Sequence, residues 1–190
     1  MLALLLAAAS ISQDAPAPEP TAPTFSYNYV EFGVFTTEID AFDENSVGVG
    51  VNGSYGFHPN VAVVAAVEYE TVEVGGIDID AAVFGIGLNG HVPVHDRVDL
   101  VAQARFISTR TEALNVSDSE TGYDLGVGVR TMPVDRLELA GGIVHTDIYD
   151  GNTNVRRAAR FYATEAISLG FGTTLDSDGN SYGLNLRVQM

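Results

Sequence analysis

The chain contains no cysteine, no tryptophan and no lysine, and its nine basic residues are all arginine. Lack of cysteine excludes a disulfide scaffold and thiolate-ligated metal, and suits an exported protein that folds without redox help. Twenty-five acidic residues leave a formal net charge of −16 over 190 residues. Nucleic acid is thereby excluded as a partner, because neutralising phosphates needs clustered positive charge. Also missing beyond Phe25 is any apolar run of about 18 residues, so no helix of this chain can span a bilayer. A hydrophobic content of 46% decides nothing by itself between membrane and water.

What is present is alternation. In Ser46–Phe57, SVGVGVNGSYGF, the positions Val47, Val49, Val51, Tyr55 and Phe57 are apolar, and the intervening positions are Gly, Ser or Asn. A period of two makes this a β-strand with one apolar and one small, polar face. The design recurs, and the pattern predicts ten strands: 25–38, 45–57, 60–74, 77–92, 97–111, 121–131, 136–149, 155–163, 166–175 and 181–190. Compact turns follow the even-numbered strands, at His58–Asn60, Pro93–Asp96, Met132–Asp135 and Ala163–Glu165. Acidic, Gly/Asn-bearing loops follow odd ones, at Asp40–Glu44, Asn115–Glu120, Asp150–Asn152 and Asp176–Asn180. Loops of one chemistry gather at one end, as an up-and-down antiparallel barrel requires. Eight strands is the alternative if the segments after Val155 do not pair.

Ahead of the strands, Leu2–Ala9 is a short apolar run followed by Ser10-Ile11-Ser12, which predicts an export signal over residues 1–12. No basic residue precedes that run. Residues 13–24, containing DAPAPEPTAP, form a Pro/Ala-rich linker that cannot pack. The barrel is expected over residues 25–190.

Which face meets solvent decides the class. Gly85, Gly87, Asn89, Gly126, Gly128, Ser168, Gly170 and Gly172 would make a poor solvent coat, yet they fit a narrow lumen. The opposite face, with Val63, Val67, Phe84, Leu88, Leu125, Leu169 and Leu184, suits lipid, and most segments have the 9–11 residues that a tilted membrane strand needs. Tyr55, Phe57, Phe106, Tyr123, Phe161 and Tyr182 are placed as interfacial aromatics. The rival with this pattern is a soluble, lipocalin-like barrel, which would turn its aliphatic residues inward.

The opening YNYVEFGVF (Tyr27–Phe35), the paired acidic loops and the ending ISLGFGTTLDSDGNSYGLNLRVQM (Ile167–Met190) resemble the small bacterial outer-membrane β-barrel proteins. The resemblance covers nearly everything after Pro23. It implies an outer-membrane location, periplasmic termini, a monomer surrounded by outer-membrane lipid and lipopolysaccharide, and insertion by the barrel-assembly machinery. That family commonly closes on an aromatic residue, often Phe, whereas this chain ends in Met190.

On the inward parity fall Glu31, Glu68, Glu70, Arg105, Asp124, Arg130, Glu138, Arg156, Arg160 and Arg187, with Gln103. A barrel of this size is nearly filled by its own side chains, so Arg–carboxylate pairs are expected to plug it. The reading is a non-enzymatic barrel with a structural or surface-interaction role; the alternatives are a narrow pore for ions or small solutes, and a hydrolase acting on lipid A or peptide. No catalytic set, cofactor or metal site is assigned. Of His58, His91, His95 and His145, only His145, with Asp147, lies in the half facing the outer leaflet. Asp176–Asn180 has the spacing of a truncated calcium loop without the closing Glu, and as a hairpin it needs no metal. Arg157, with Arg156 near a loop, offers a contact for lipopolysaccharide phosphate.

Overall fold

The computed structural model describes residues 25–39, 44–114, 116–148, 151–177 and 179–190. The export signal and linker read from the sequence lie outside these residues, as does Asp178 of the calcium-like tract.

Ten strands form: β1 (Tyr29–Ile39), β2 (Glu44–His58), β3 (Val61–Val74), β4 (Ile77–His95), β5 (Val98–Ala113), β6 (Val116–Val134), β7 (Leu137–Asp147), β8 (Asn152–Tyr162), β9 (Ile167–Leu175) and β10 (Asn180–Gln189). Each pairs antiparallel with its sequence neighbour, and β1 pairs with β10 to close the barrel. Closure removes the open edges that a sheet would otherwise expose to lipid.

Register shows the tilt. The cross-strand row that starts at Tyr29, the first residue of β1, passes through Ser54, Val64, Gly87, Arg105, Asp124 and Thr146 to Asn152. It begins at the compact-turn end of the barrel and finishes at the loop end. The strands therefore incline steeply to the barrel axis, as closing a sheet demands.

Turn chemistry accounts for the ends. Gly75 and Gly76 join β3 to β4 with φ of 61° and 82°, the two left-handed residues that a tight hairpin requires. Three register shifts, at Gly56/His58, Pro93/His95 and Thr131/Val134, all lie at the compact-turn end. Pro93 and Pro133 lack an amide hydrogen, and a bulge is where a strand tolerates that.

Three strand starts differ from the sequence reading by three residues or more, and β4 and β6 run on to His95 and Val134, through residues read as compact turns. β1 starts at Tyr29 rather than Phe25, because Phe25–Asn28 turns into the barrel mouth, with Phe25 and Tyr27 buried. β6 starts at Val116 rather than Thr121, so most of the tract read as a loop is ladder paired with β5 from Ala113 down. β8 starts at Asn152, ahead of Val155. In the last two cases polar residues read as loop are held by backbone pairing, which is indifferent to side-chain polarity.

The burial pattern is that of a soluble protein turned inside out. Val47, Val127, Leu184 and Leu169 on the outer wall are 58–68% exposed, whereas Glu31, Asp124, Arg160 and Arg187 inside are at most 8% exposed. An apolar surface of this extent on a monomer needs a nonaqueous neighbour. The soluble alternative, with aliphatic residues inside, is thereby overturned.

Candidate functional site: the ion-paired lumen and its two cavities

Inward parity brings the predicted ions together in two tiers. Toward the compact turns, pairing sets Glu31 of β1 opposite Arg187 of β10 and Asn52 of β2. Glu31 Oε2 accepts from Arg187 Nε at 2.8 Å and from Arg160 Nη2, while its Oε1 accepts from Asn52 Nδ2 at 3.0 Å. Arg160 Nη2 also donates to Asn185 Oδ1 at 2.7 Å. Beside this group, Arg130 grips Glu138 with a two-pronged fork of 2.9 and 3.0 Å, and the Tyr162 hydroxyl donates to the same carboxylate. Bidentate geometry and added donors are what a desolvated ion pair needs to hold together.

Under this ionic layer lies an aromatic one supplied by the segment before β1. The Arg130 guanidinium stands 4.7 Å from the ring centres of both Phe25 and Tyr27. Tyr27 stacks on His91 at 3.6 Å and donates its hydroxyl to Asp99 Oδ2 at 2.8 Å. Phe25, Tyr27 and Ala62, with Val101 and Met132 against them, form the buried apolar cluster at this end. Burial pushes the Tyr27 phenol well above the ordinary value, with its hydrogen bond to Asp99 acting in the same direction and Arg130 opposing. A raised phenol keeps its proton in the fold, so its contribution is whole below pH ~10 and is lost as pH climbs beyond that. Urea unfolding in lipid vesicles should show stability falling above about pH 10. Tyr27→Phe should flatten part of that fall, and an unchanged slope would count against a buried, neutral phenol.

The upper tier is looser. Arg105 and Asp124 are direct cross-strand partners and form an ion pair, and Thr146 Oγ1 donates to Asp124 Oδ1 at 2.7 Å. Glu70 accepts from Ser46. Arg156 donates to Asn154 Oδ1 at 3.2 Å, and among the described residues it makes no carboxylate contact within ion-pair distance. Glu68 faces the lumen on β3, five strands round the ring of ten from Arg156 on β8, and is exposed.

Two cavities result, and they share no lining residue. One of about 860 Å³ is lined by Glu68, Glu70, Arg105, Asp124 and Arg156 and reaches Asp176 at the loop end. The other, about 760 Å³, lies at the compact-turn end against Phe25, Tyr27, His91 and Tyr162. Between them stands the two-layer septum. Four buried polar atoms lack a protein partner among the described residues: Asn89 Oδ1, Gln103 Nε2, Asn152 Oδ1 and Arg187 Nη1. All four residues line the first cavity. A polar space this roomy is where solvent satisfies such atoms.

All ten predicted lumen ions thus face inward, but they divide between a septum and a vestibule rather than forming one plug. The sequence reading does not place Phe25, Tyr27, Asp99 or Tyr162 in the lumen, and it names His91 only among the four histidines. Inward parity reaches His91, Asp99 and Tyr162, since each continues its strand's lumen-facing set. Nothing in the pattern marks Phe25 and Tyr27, which bend in from outside the ladder.

On the outer wall, Tyr55, Phe57 and Phe161 lie near the compact turns and are 54–64% exposed. Tyr123 lies opposite Asp147, the last residue of β7, and Tyr182 is near the start of β10, so both lie toward the loops. Phe106 is 52% exposed midway along β5. Tyr69 and Phe84, also exposed, add to the loop-side aromatics. His145 Nδ1 lies 3.0 Å from Thr153 Oγ1 on this lipid-side face. Arg157 is exposed on the outer wall as the sixth of eleven residues in β8, beside Gly141 and Thr173. That places it amid the apolar belt, deeper than the loop position read from the sequence. No grouping of three His, Asp or Glu suited to a metal occurs among the described residues.

A closed barrel with an aliphatic outer wall and an ionic interior is a transmembrane β-barrel, the architecture of outer-membrane proteins. The chain belongs to the outer membrane protein beta-barrel domain family, whose model matches residues 1–188. It is a protein of the bacterial outer membrane. Solved structures of similar fold include the NanC porin, 9% identical, with a TM-score of 0.55 over 85% of this chain and 100% of that one. The translocator domain of autotransporter NalP from Neisseria meningitidis is 7% identical, with a TM-score of 0.51 over 87% and 88%. An outer membrane channel from Pseudomonas putida F1 is 9% identical, with a TM-score of 0.50 over 92% and 100%. A search of curated protein sequences gives no match.

Proposed function

We propose that this barrel is a non-enzymatic, monomeric outer-membrane protein with a structural or surface-interaction role, its lumen shut on the periplasmic side. Short turns mark the periplasmic end of such barrels, so the septum faces the periplasm and the vestibule opens outward. The observation that carries this reading is the stack of Arg130–Glu138–Tyr162 on Phe25 and Tyr27, which separates the two cavities. Its partners are outer-membrane lipid and, through Arg157, lipopolysaccharide phosphate, with delivery by the barrel-assembly machinery.

A second reading, a narrow pore, is favoured by one feature: Glu68 and Arg156 stand on opposite walls of the vestibule. Two of the proteins of similar fold are described as a porin and a channel, which fits that reading at the level of fold. Planar-bilayer recording separates the two. The sealed barrel should give no steady conductance, and Phe25→Ala with Tyr27→Ala should open it by removing the rings beneath Arg130. Steady conductance of the unaltered chain, with ion preference changed by Glu68→Gln or Arg105→Gln, would replace the sealed reading with the pore. The hydrolase reading has little support, since His145 is turned to Thr153. His145→Ala should leave lipid A and added peptides unchanged by mass spectrometry.

A further inference from the structure

Two ions of opposite sign face the vestibule without meeting. Glu68 enters it from β3 and, among the described residues, makes no hydrogen bond or ion pair. Arg156 enters from β8, five strands round the ring of ten, and its hydrogen bond runs to Asn154 rather than to a carboxylate. Other charges on these walls are engaged, since Arg105 holds Asp124 and Glu70 accepts from Ser46. Charges on the low-dielectric walls of a cleft focus their field into it. A solute that enters therefore meets one negative and one positive wall.

Neutral polar groups are also left over. Two residues from Arg105 toward the compact turns, Gln103 of β5 lies directly across from Asn89 of β4. Asn89 Oδ1 is a buried acceptor and Gln103 Nε2 a buried donor, both without a protein partner among the described residues. One peptide group answers both, giving its N–H to the first and its C=O to the second. Across the ring from them, Gly172 of β9 puts no side chain into the cavity. The volume of about 860 Å³ lies within the roughly 300–1,000 Å³ of small-molecule sites.

We infer that, with the lumen shut at its periplasmic end as proposed above, the vestibule is a binding site for a short zwitterionic peptide. Its ammonium is directed to Glu68 and its carboxylate to Arg156, above the floor formed by Asn89 and Gln103. Charge argues against other small solutes. A simple cation has a use for Glu68 alone, and a simple anion for Arg156 alone. A free amino acid carries both charges on one carbon and cannot extend to both walls. A peptide separates them by up to about 3.5 Å per residue. It also has no net charge, so the field of a chain at −16 does not keep it out.

The test titrates the full chain in lipid nanodiscs with trialanine, in about 0.15 M salt so that the general field of the acidic chain is screened. Trialanine should bind. N-acetyl-trialanine, trialanine amide and free alanine should each bind at least about tenfold more weakly, because each forfeits one of the two ionic contacts. These changes are made in the ligand and leave the protein unaltered. Glu68→Gln should weaken trialanine about tenfold and leave the N-acetylated peptide where it was; Arg156→Gln should do the same with the amide. Gly172→Leu fills the cavity without altering a charge, and a Cβ there lies 3.6 Å from its nearest neighbour, so the fold accommodates it and binding should fall. Equal binding of free and capped peptides, or no trialanine binding at about 10 mM, would overturn the site. Labelled trialanine added outside proteoliposomes should bind without entering them. Entry would overturn the seal, whatever the titration gave, whereas exclusion without binding would overturn the site alone.

Discussion

Glu31→Ala is expected to destabilise the barrel by about 3–5 kcal/mol, the usual penalty for stripping one partner from a buried ionic group. Glu31 is the carboxylate shared by Arg160 and Arg187 and also accepts from Asn52. Both arginines are at least 92% buried, so neither can turn to bulk water when the carboxylate goes. Arg187 already has one nitrogen without a protein partner and leans on the Tyr29 ring at 3.7 Å. Urea titration in phosphatidylcholine vesicles measures the loss. Glu31→Ala combined with Arg187→Leu should recover part of it, since one of the stranded charges is removed with its partner. A Glu31→Ala change of under about 1 kcal/mol would mean that the septum is hydrated rather than dry.

Arg157→Leu should move stability the other way. A lipid-facing Arg at the midplane of an outer-membrane barrel costs about 2–4 kcal/mol, and the cost fades toward the interface. Arg157 lies midway along β8, with Val155 and Ala159 on its own face and Leu139 and Ile143 on the neighbouring strand. Leucine there should raise stability by about 2–4 kcal/mol in phosphatidylcholine vesicles. If the guanidinium reaches up to lipopolysaccharide phosphates, the gain should shrink when the vesicles contain lipopolysaccharide. An identical gain in both membranes would remove Arg157 as a lipopolysaccharide contact.

Much of this architecture was legible because a barrel wall has two chemically distinct faces and a strand alternates strictly between them. Parity alone placed Glu31, Asp124, Arg130 and Arg187 inside and Val127 and Leu184 outside. It put Arg105 and Asp124 on the same side, and the β5–β6 register then sets them opposite each other. Parity does not give height, and height separates the dry Arg130–Glu138 fork from the solvent-lined Arg156. Nor does it describe a segment outside the ladder. Phe25 and Tyr27 read as the start of a strand, yet they fold beneath Arg130 because two aromatic rings at a barrel mouth gain burial and a cation to cover. The rim was misread for the opposite reason: Ser117–Glu120 is polar and resembles a loop, but pairing with β5 holds it extended.

The central claim is that aliphatic residues touch lipid while the ions fill the interior. The absence of native cysteine allows spin labels to be attached singly at positions 183–187 of β10 in vesicles. Labels at Leu184 and Leu186 should relax readily with oxygen dissolved in the bilayer. Those at Gly183, Asn185 and Arg187 should be shielded from it, giving a period of two. Oxygen access at 183, 185 and 187 in place of 184 and 186, or no alternation at all, would contradict the account.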